Sequence, residues 1–455
     1  VTALLLWIGI HAAVADPVEG WWRDFGDPNL NAWVEASLDA NLDIDVATTR
    51  IEAARGLADA ARAPLLPSVT FDYNLSGVTD DVRAGQSGFL TTDVLPDFIY
   101  NGSGQLGLGV EVDLTGRNVL AWQAARGDVS AAEQDRAVAA QAIALRVVAA
   151  WWDVALAQER IAALDAQRAV AASLLTTLER RQARSEGTVV EVLQQRQQIA
   201  ALDAQRPSFI AAAKVAAAQL AVLAGKSPQD APTEIPTQLP TLAAVTDDPA
   251  REVLLRDRPD LRAADLRFSA AHQRRLSRER AFAPKVRLNL NLSGQYSNTQ
   301  RIQFGATGTT VDYGSAYGWT VGTAISLPIF DGGLTIANLR QARAAEATAE
   351  AQRDAATLAA EAQVATARIQ EEGAAERVVA LADQVSLATQ AFEAARARFE
   401  LGLVDWNTLL NAENALWQAS LNAIAARRDV VTARTNRLDA RGGAWTAALF
   451  DGDAP

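Results

Sequence analysis

Four stretches of the chain alternate between apolar and polar side chains. In residues 68–78, Val69, Phe71, Tyr73 and Leu75 fall on one face, and Ser68, Thr70, Asp72 and Asn74 on the other. Residues 104–114 set Leu106, Leu108, Val110, Val112 and Leu114 against Gln105, Glu111 and Asp113. Residues 285–294 set Val286, Leu288, Leu290 and Leu292 against Lys285, Arg287, Asn289 and Asn291, and 319–327 set Trp319, Val321, Ile325 and Leu327 against Thr320, Gly322 and Ser326. Period two predicts strands with one dry and one wet face.

A soluble sheet packed on helices would show the same alternation. The lengths, however, match a tilted membrane-crossing strand of about 9–11 residues. The opposite face is hydrophilic or Gly, as a water-filled lumen requires. Tyr100, Tyr313, Tyr317 and Trp319 lie near the expected strand ends, where an interfacial girdle would sit. Four strands cannot close a barrel, and an open edge in lipid leaves backbone groups unsatisfied at several kcal/mol each. Membrane-spanning strands of this number therefore imply a homo-oligomer sharing one barrel.

The rest of the chain has a helical pattern. Residues 128–186 hold neither Gly nor Pro, nor do 403–441, and 334–401 hold one Gly, at 373. Ala, Gln, Arg, Glu and Leu dominate these stretches, all strong helix formers. A helix over 334–401 would be about 100 Å long at 1.5 Å per residue. Gly187 and Gly402 end the long runs at matching places, which predicts two helical hairpin tips.

The chain also repeats itself. Asn74-Leu75-Ser76-Gly77 recurs 217 residues later as Asn291-Leu292-Ser293-Gly294, and Asp43, Ala47, Arg50 and Pro67 have counterparts at the same offset in Asp260, Ala264, Arg267 and Pro284. Further on, Gly116 matches Gly332 at offset 216 and Gly187 matches Gly402 at 215, a drift that two short deletions would give. The expected organisation is a first repeat over 16–226, with an Ala-rich helix over 29–62, strands 68–78 and 104–114, and helices 118–186 and 188–224. A Pro-rich linker or equatorial segment, 227–248, precedes the second repeat over 249–442. That repeat holds a helix over 249–282, strands 285–294 and 319–327, and helices 334–401 and 403–441. In each copy a long polar loop separates the two strands. A tail of 443–455 closes the chain. Residues 1–15 end an apolar run at Ala13-Val14-Ala15, like the h-region and cleavage site of a secretory signal.

Composition narrows the chemistry. A net charge of −12 disfavours non-specific nucleic-acid binding. With no Cys and only His11 and His272, thiolate and His-based metal sites are excluded and a Ser-His-Asp triad is disfavoured. Gly225-Lys226-Ser227 lacks the upstream Gly of a phosphate loop, since position 220 is Leu, and fits a helix end. No catalytic site, cofactor or metal is expected.

Several short motifs, in order and duplicated, carry a resemblance. Trp21-Trp22-Arg23-Asp24-Phe25-Gly26-Asp27-Pro28-Asn29-Leu30 forms the entry segment. Arg258-Pro259-Asp260-Leu261 opens the second copy, and Leu327-Pro328-Ile329-Phe330-Asp331-Gly332-Gly333 and Asp113-Leu114-Thr115-Gly116-Arg117 are strand-to-helix turns. Phe399-Glu400-Leu401-Gly402-Leu403-Val404-Asp405 lies at the second tip. Together they resemble the TolC-like outer-membrane efflux proteins, in the branch that serves multidrug pumps. The resemblance implies an α+β membrane protein: a trimeric, 12-stranded β-barrel, four strands per protomer, continued by a long periplasmic α-helical barrel. It implies an outer-membrane channel of a tripartite efflux system, working with a periplasmic adaptor (membrane fusion) protein and an inner-membrane RND-type pump or ABC exporter, and performing no chemistry. Type I protein secretion is the alternative use of such a duct; a non-conducting helical rod and a soluble periplasmic enzyme are the others weighed.

The resemblance also assigns sites. The tips that would meet the adaptor are Gly187, Thr188 and Val189, and Gly402, Leu403 and Val404. The barrel lumen would be lined by Asp72, Asn74, Glu111, Asp113, Arg287 and Asn289. Many members place an Asp nine residues after the tip Gly, forming an acidic ring at the closed periplasmic aperture; here that position is Asn411. Thr408, Asn411 and Glu191 would then line a polar constriction, with weaker block by multivalent cations than an Asp ring gives. Many relatives carry a lipidated N-terminal Cys; with none here, anchoring would rest on the barrel and outer-membrane lipid.

Overall fold

A computed structural model describes residues 20–79, 98–232, 235–242, 255, 258–305 and 308–441. The expected signal segment 1–15, residues 243–248 of the linker and the tail 443–455 lie outside the described residues. The elements in chain order are α1 (Pro28–Ala40), α2 (Leu42–Arg62), β1 (Ser68–Thr79), β2 (Phe98–Val112), α3 (Arg117–Ala183), α4 (Val189–Leu223), α5 (Pro259–Glu279), β3 (Lys285–Gly305), β4 (Gly308–Ser326), α6 (Leu334–Glu400) and α7 (Trp406–Ala440). The chain divides into two compact units: residues 1–50, 131–264 and 352–455, and residues 51–130 and 265–351.

The second unit holds the sheet, antiparallel throughout in the order β1-β2-β3-β4. Its register carries each face across all four strands. Val69, Leu108, Leu290 and Val321 form one row, and Phe71, Leu106, Leu292 and Trp319 another. On the other face, Thr70, Gly107, Asn291 and Thr320 align, as do Asp72, Gln105, Ser293 and Gly318. A slip of one residue in any strand would mix the faces.

Strand limits differ from those expected. β2 stops at Val112, so Asp113 and Leu114 fall outside it. β3 and β4 pair far into the stretch read as a second long polar loop, with a register shift between Tyr296 and Gln300. Tyr296, Ile302, Phe304, Val311 and Tyr313 are good strand formers, and a hairpin satisfies backbone groups that a loop would leave to solvent. Tyr317 and Trp319 consequently lie well inside β4 rather than near its end.

In the same unit, polar side-chain contacts join α5 to α3 and α6. Arg274 pairs with Asp128, His272 Nδ1 lies 2.6 Å from Glu346, and Arg343 lies 3.3 Å from Glu279. The basic cluster of α5 therefore ties helices together rather than forming a purely solvated face.

The first unit is built on a tryptophan-rich core. Trp21, Trp22, Phe25, Leu30 and Val34 pack against Ile143, Val147, Val148, Trp151 and Trp152 of α3 and Leu220 of α4. Asp27 secures this corner: its Oδ1 accepts from the N–H groups of Asn29 (2.9 Å) and Leu30 (3.3 Å), and its Oδ2 from Trp151 Nε1 (2.8 Å). The Arg-Pro-Asp segment is an anchor of the same kind. Arg258 grips Asp260 at 3.0 and 2.7 Å and donates to the Ala440 carbonyl (2.8 Å) and Gln363 Oε1 (2.9 Å). The expected helix over 29–62 is two helices, broken at Asn41, whose side chain donates to the Leu223 carbonyl (2.8 Å).

α3 and α6 are each 67 residues long, about 100 Å at 1.5 Å per residue. Gly373 lies within α6 without ending it. α3 and α4 each include a window apolar enough to cross a membrane by length and composition; in α3, 56% of that window is buried.

Candidate functional site

The polar face of the sheet is continuous. Gln105 Nε2 donates to Asn291 Oδ1 (3.2 Å) and Ser68 Oγ to the Gly109 carbonyl (3.3 Å). A Cβ on Gly107 would sit 2.9 Å from Thr70 Oγ1 and 3.2 Å from Asn291 Oδ1, so glycine lets the polar side chains of both neighbouring strands close over β2. Asp72, Asn74, Glu111, Arg287 and Asn289 share this face. Glu111 accepts from Arg117 (2.7 Å) and Asn118 (3.0 Å), with Arg287 at 3.7 Å. Asp113, expected on the same strand face, instead caps α3: its carboxylate accepts from the N–H groups of Arg117, Asn118 and Val119 at 2.8–2.9 Å. The opposite face is apolar and exposed: Val69, Phe71, Leu75, Leu106, Leu292, Trp319 and Val321 all meet solvent in the single chain.

The helical tips lie in the other unit. α3 ends with Ser185 in the left-handed region (φ 58°), and α6 with Gly402 (φ 73°). Each end closes with the same two bonds: Glu186 N–H to the Arg181 carbonyl and Ser185 N–H to Gln182, matched by Leu403 to Arg398 and Gly402 to Phe399, all 2.9–3.0 Å. The structural partner of Gly402 is therefore Ser185, not Gly187. A drift to 215 is not needed, because α2 and α5, α3 and α6, and α4 and α7 have equal lengths and start 217 residues apart.

Below the tips, Leu174, Leu178, Val192, Phe392, Phe399, Trp406 and Leu409 form a buried cluster. Arg181 stacks on the Phe399 ring (4.6 Å) and donates to its carbonyl (3.1 Å). The helices leaving the tips are capped by Thr188 and Asp405. Thr188 and Glu191 make a reciprocal capping box (3.3 and 3.0 Å), so the Glu191 carboxylate is committed to the Thr188 N–H. Asp405 accepts from the Thr408 N–H (3.0 Å) and from its hydroxyl, which together hold the Asp405 carboxyl below its ordinary range.

Thr408 and Asn411 are both exposed and one helical turn apart on α7. They head a neutral stripe continuing through Ala415, Gln418 and Asn422, all exposed. At the tips Val189 and Leu403 are exposed, while Val404 packs onto the buried cluster. Sequence reading missed Val190, Leu193 and Leu401, which are equally exposed. The sign was available: α4 opens on Val189-Val190-Glu191-Val192-Leu193, more apolar residues than one buried helix face accommodates.

Glu413 faces away from that stripe, as the helical angle requires. It is fully buried, in a polar layer with Gln167 of α3 and Gln195 of α4. Gln167 Nε2 donates to Glu413 Oε1 (3.2 Å), and Gln195 Nε2 to the Ala171 carbonyl (3.0 Å). Among the described residues, Glu413 Oε2 and Gln195 Oε1 find no hydrogen-bond partner. Burial pushes the Glu413 carboxyl up to about 7, against the smaller opposing effect of the two amides.

Comparison with known proteins places this geometry. The fold is that of the solved outer-membrane channels OprN (TM-score 0.80, 26% identical, covering 95% of this chain and 94% of that one) and VceC of Vibrio cholerae (TM-score 0.80, 23% identical, 93% and 98%). The model of the outer membrane efflux protein family matches residues 33–226 and 251–442, and the chain belongs to that family. Its members are outer-membrane channels, not enzymes. Among the relatives is the fusaric acid resistance protein FusA of Burkholderia cepacia, 30% identical over 74% of this chain; the match spans 62% of that relative. The pyoverdine export outer membrane protein OpmQ of Pseudomonas aeruginosa is 26% identical over 95% of this chain and 88% of its own length.

Proposed function

We propose that three copies of this chain close one 12-stranded barrel in the outer membrane and continue it as a helical barrel through the periplasm, forming a passive exit duct. The observation that carries this reading is the sheet: an exposed apolar face, a polar face, and two edges, β1 and β4, that no strand among the described residues pairs. Such a sheet is unstable in water and incomplete in lipid unless sister strands pair with its edges. The chain would consist of two copies of one unit, a reading supported by the constant offset of 217 between helices. A periplasmic adaptor would meet the tips at Gly187, Thr188, Val189, Gly402 and Leu403, and an inner-membrane pump would supply energy. Thr408 and Asn411 would line a polar aperture at the end of the duct.

Small organic molecules are the favoured cargo over polypeptides, because the relatives are named for fusaric acid resistance and pyoverdine export. The test is purification in detergent with the mass measured by light scattering, followed by single-channel recording. Three copies per particle and a defined conductance are expected. A detergent-free soluble monomer, or a trimer that never conducts, would overturn the reading.

A further inference from the structure

Each of the four strands leads into or out of a helix through a short connection, and each connection exposes a large apolar side chain. These are Leu66 before β1, Leu114 after β2, Phe282 before β3, and Ile329 with Phe330 after β4. Ile329 is 93% and Phe330 87% exposed. None of the four connections is in the sheet, so pairing of sheet edges would not by itself cover them. Leu114, Phe282 and Ile329 continue the apolar columns of their strands, while Leu66 and Phe330 fall off that parity. Leu106, Leu108, Val110 and Val112 run on at the same parity to Leu114, and Trp319, Val321 and Ile325 run on through Leu327 to Ile329.

Polar groups stop the apolar run in each connection. Arg62 precedes the first, Arg117 follows the second, Arg280 precedes the third, and Asp331 ends the fourth. On the α3 side, Trp122 carries the guanidinium of Arg62 at 5.8 Å and that of Arg126 at 5.4 Å over its ring. An amphipathic indole bracketed by cations, next to an apolar rim, suits the level of phosphate headgroups.

We propose that these connections form an apolar collar seated in the acyl chains of the periplasmic leaflet, so that the membrane boundary lies below the last strand residue, at the level of Arg62 and Trp122. The proposal rests on the barrel reading above. It commits to lipid as the occupant of Ile329 and Phe330.

These 455 residues hold no cysteine, so within them each label reports one introduced site. Phe330→Cys, Ile329→Cys and Leu114→Cys are each labelled with a nitroxide in the full-length protein. They are reconstituted in phosphatidylethanolamine–phosphatidylglycerol vesicles beside two references, Leu106→Cys on the apolar face and Asn289→Cys on the polar face. Collision with molecular oxygen reports lipid, and collision with a water-soluble nickel chelate reports water. The expected result is an oxygen-to-nickel ratio at Phe330 and Ile329 that matches Leu106 and exceeds Asn289. Low collision with both reagents would mean that a neighbouring copy covers the site, and high nickel collision that it is wet; either overturns the collar alone. A Leu106 label that is itself open to nickel would overturn the barrel reading instead. Should one of the three collar variants fail to assemble, the other two give the same readout.

Discussion

At Glu413 a buried carboxyl makes the stability of the helices below the tip depend on pH. Its pKa is about 7 in the folded chain against an ordinary 4.5, because burial penalises the charge more than Gln167 and Gln195 offset it. The folded state therefore holds the proton more tightly than the unfolded chain. That favourable contribution is complete below about pH 4.5 and is lost as pH rises through 7. The span corresponds to about 3 kcal/mol as an upper bound, since relaxation of the layer would reduce it. We expect the thermal unfolding midpoint in detergent to fall between pH 5 and pH 8, and Glu413→Gln to flatten most of that fall while raising the midpoint at pH 8. A Glu413→Gln variant with an unchanged pH slope would show that the layer is not what titrates. Two residues apart on one helix, Glu413 and Asn411 fall on different faces of α7. The burial of Glu413 was not legible, because the two amides that receive it come from residues 167 and 195, far off in sequence. Asn411, by contrast, is exposed. Asn411→Asp should introduce block by divalent cations in bilayer recordings; unchanged block would remove Asn411 from the aperture.

The elements are joined by caps, and these show where reading by residue type went astray. Gly187 and Gly402 are the conspicuous glycines of the two tips, yet the left-handed position of the first tip belongs to Ser185. A non-glycine there costs about 1 kcal/mol relative to glycine, partly offset by the greater freedom glycine brings to the unfolded chain. Ser185→Gly should accordingly slow amide exchange around the first tip, and Gly402→Ala should speed it around the second by an amount equivalent to about 1 kcal/mol. Opposite signs are the prediction; equal effects at both tips would mean that the caps are not equivalent. Strand and helix types were legible from period and composition because both are local. Strand ends were not: Asp113 continues the alternation of β2 but is drawn off by three backbone N–H groups of α3. The length of β3 and β4 was equally hidden, since Gly, Ser, Asn and Gln within 294–318 read as loop until the two arms pair.

At the scale of the whole molecule, stability and function meet in the sheet. β2 and β3 pair although α3, α4 and α5 intervene, so the sheet forms only after distant parts of the chain meet. Its apolar face then needs a partner that the described residues do not supply. If that partner is lipid, substitutions on the two faces of β1 must differ sharply. Phe71 and Asn74 are three residues apart on the same edge strand, both exposed in the single chain, one on each face. Phe71→Arg places a charge against acyl chains, at a cost of about 2–4 kcal/mol near the bilayer midplane. Asn74→Arg places the same charge in water, where it mainly changes ion selectivity. Heat-modifiable trimers in outer-membrane fractions should fall strongly for Phe71→Arg and stay near the unmodified level for Asn74→Arg. The conductance of the Asn74→Arg channel should shift toward anions. Equal tolerance of both substitutions would mean that neither face of the sheet meets lipid, and the case for a shared barrel would fail at its foundation.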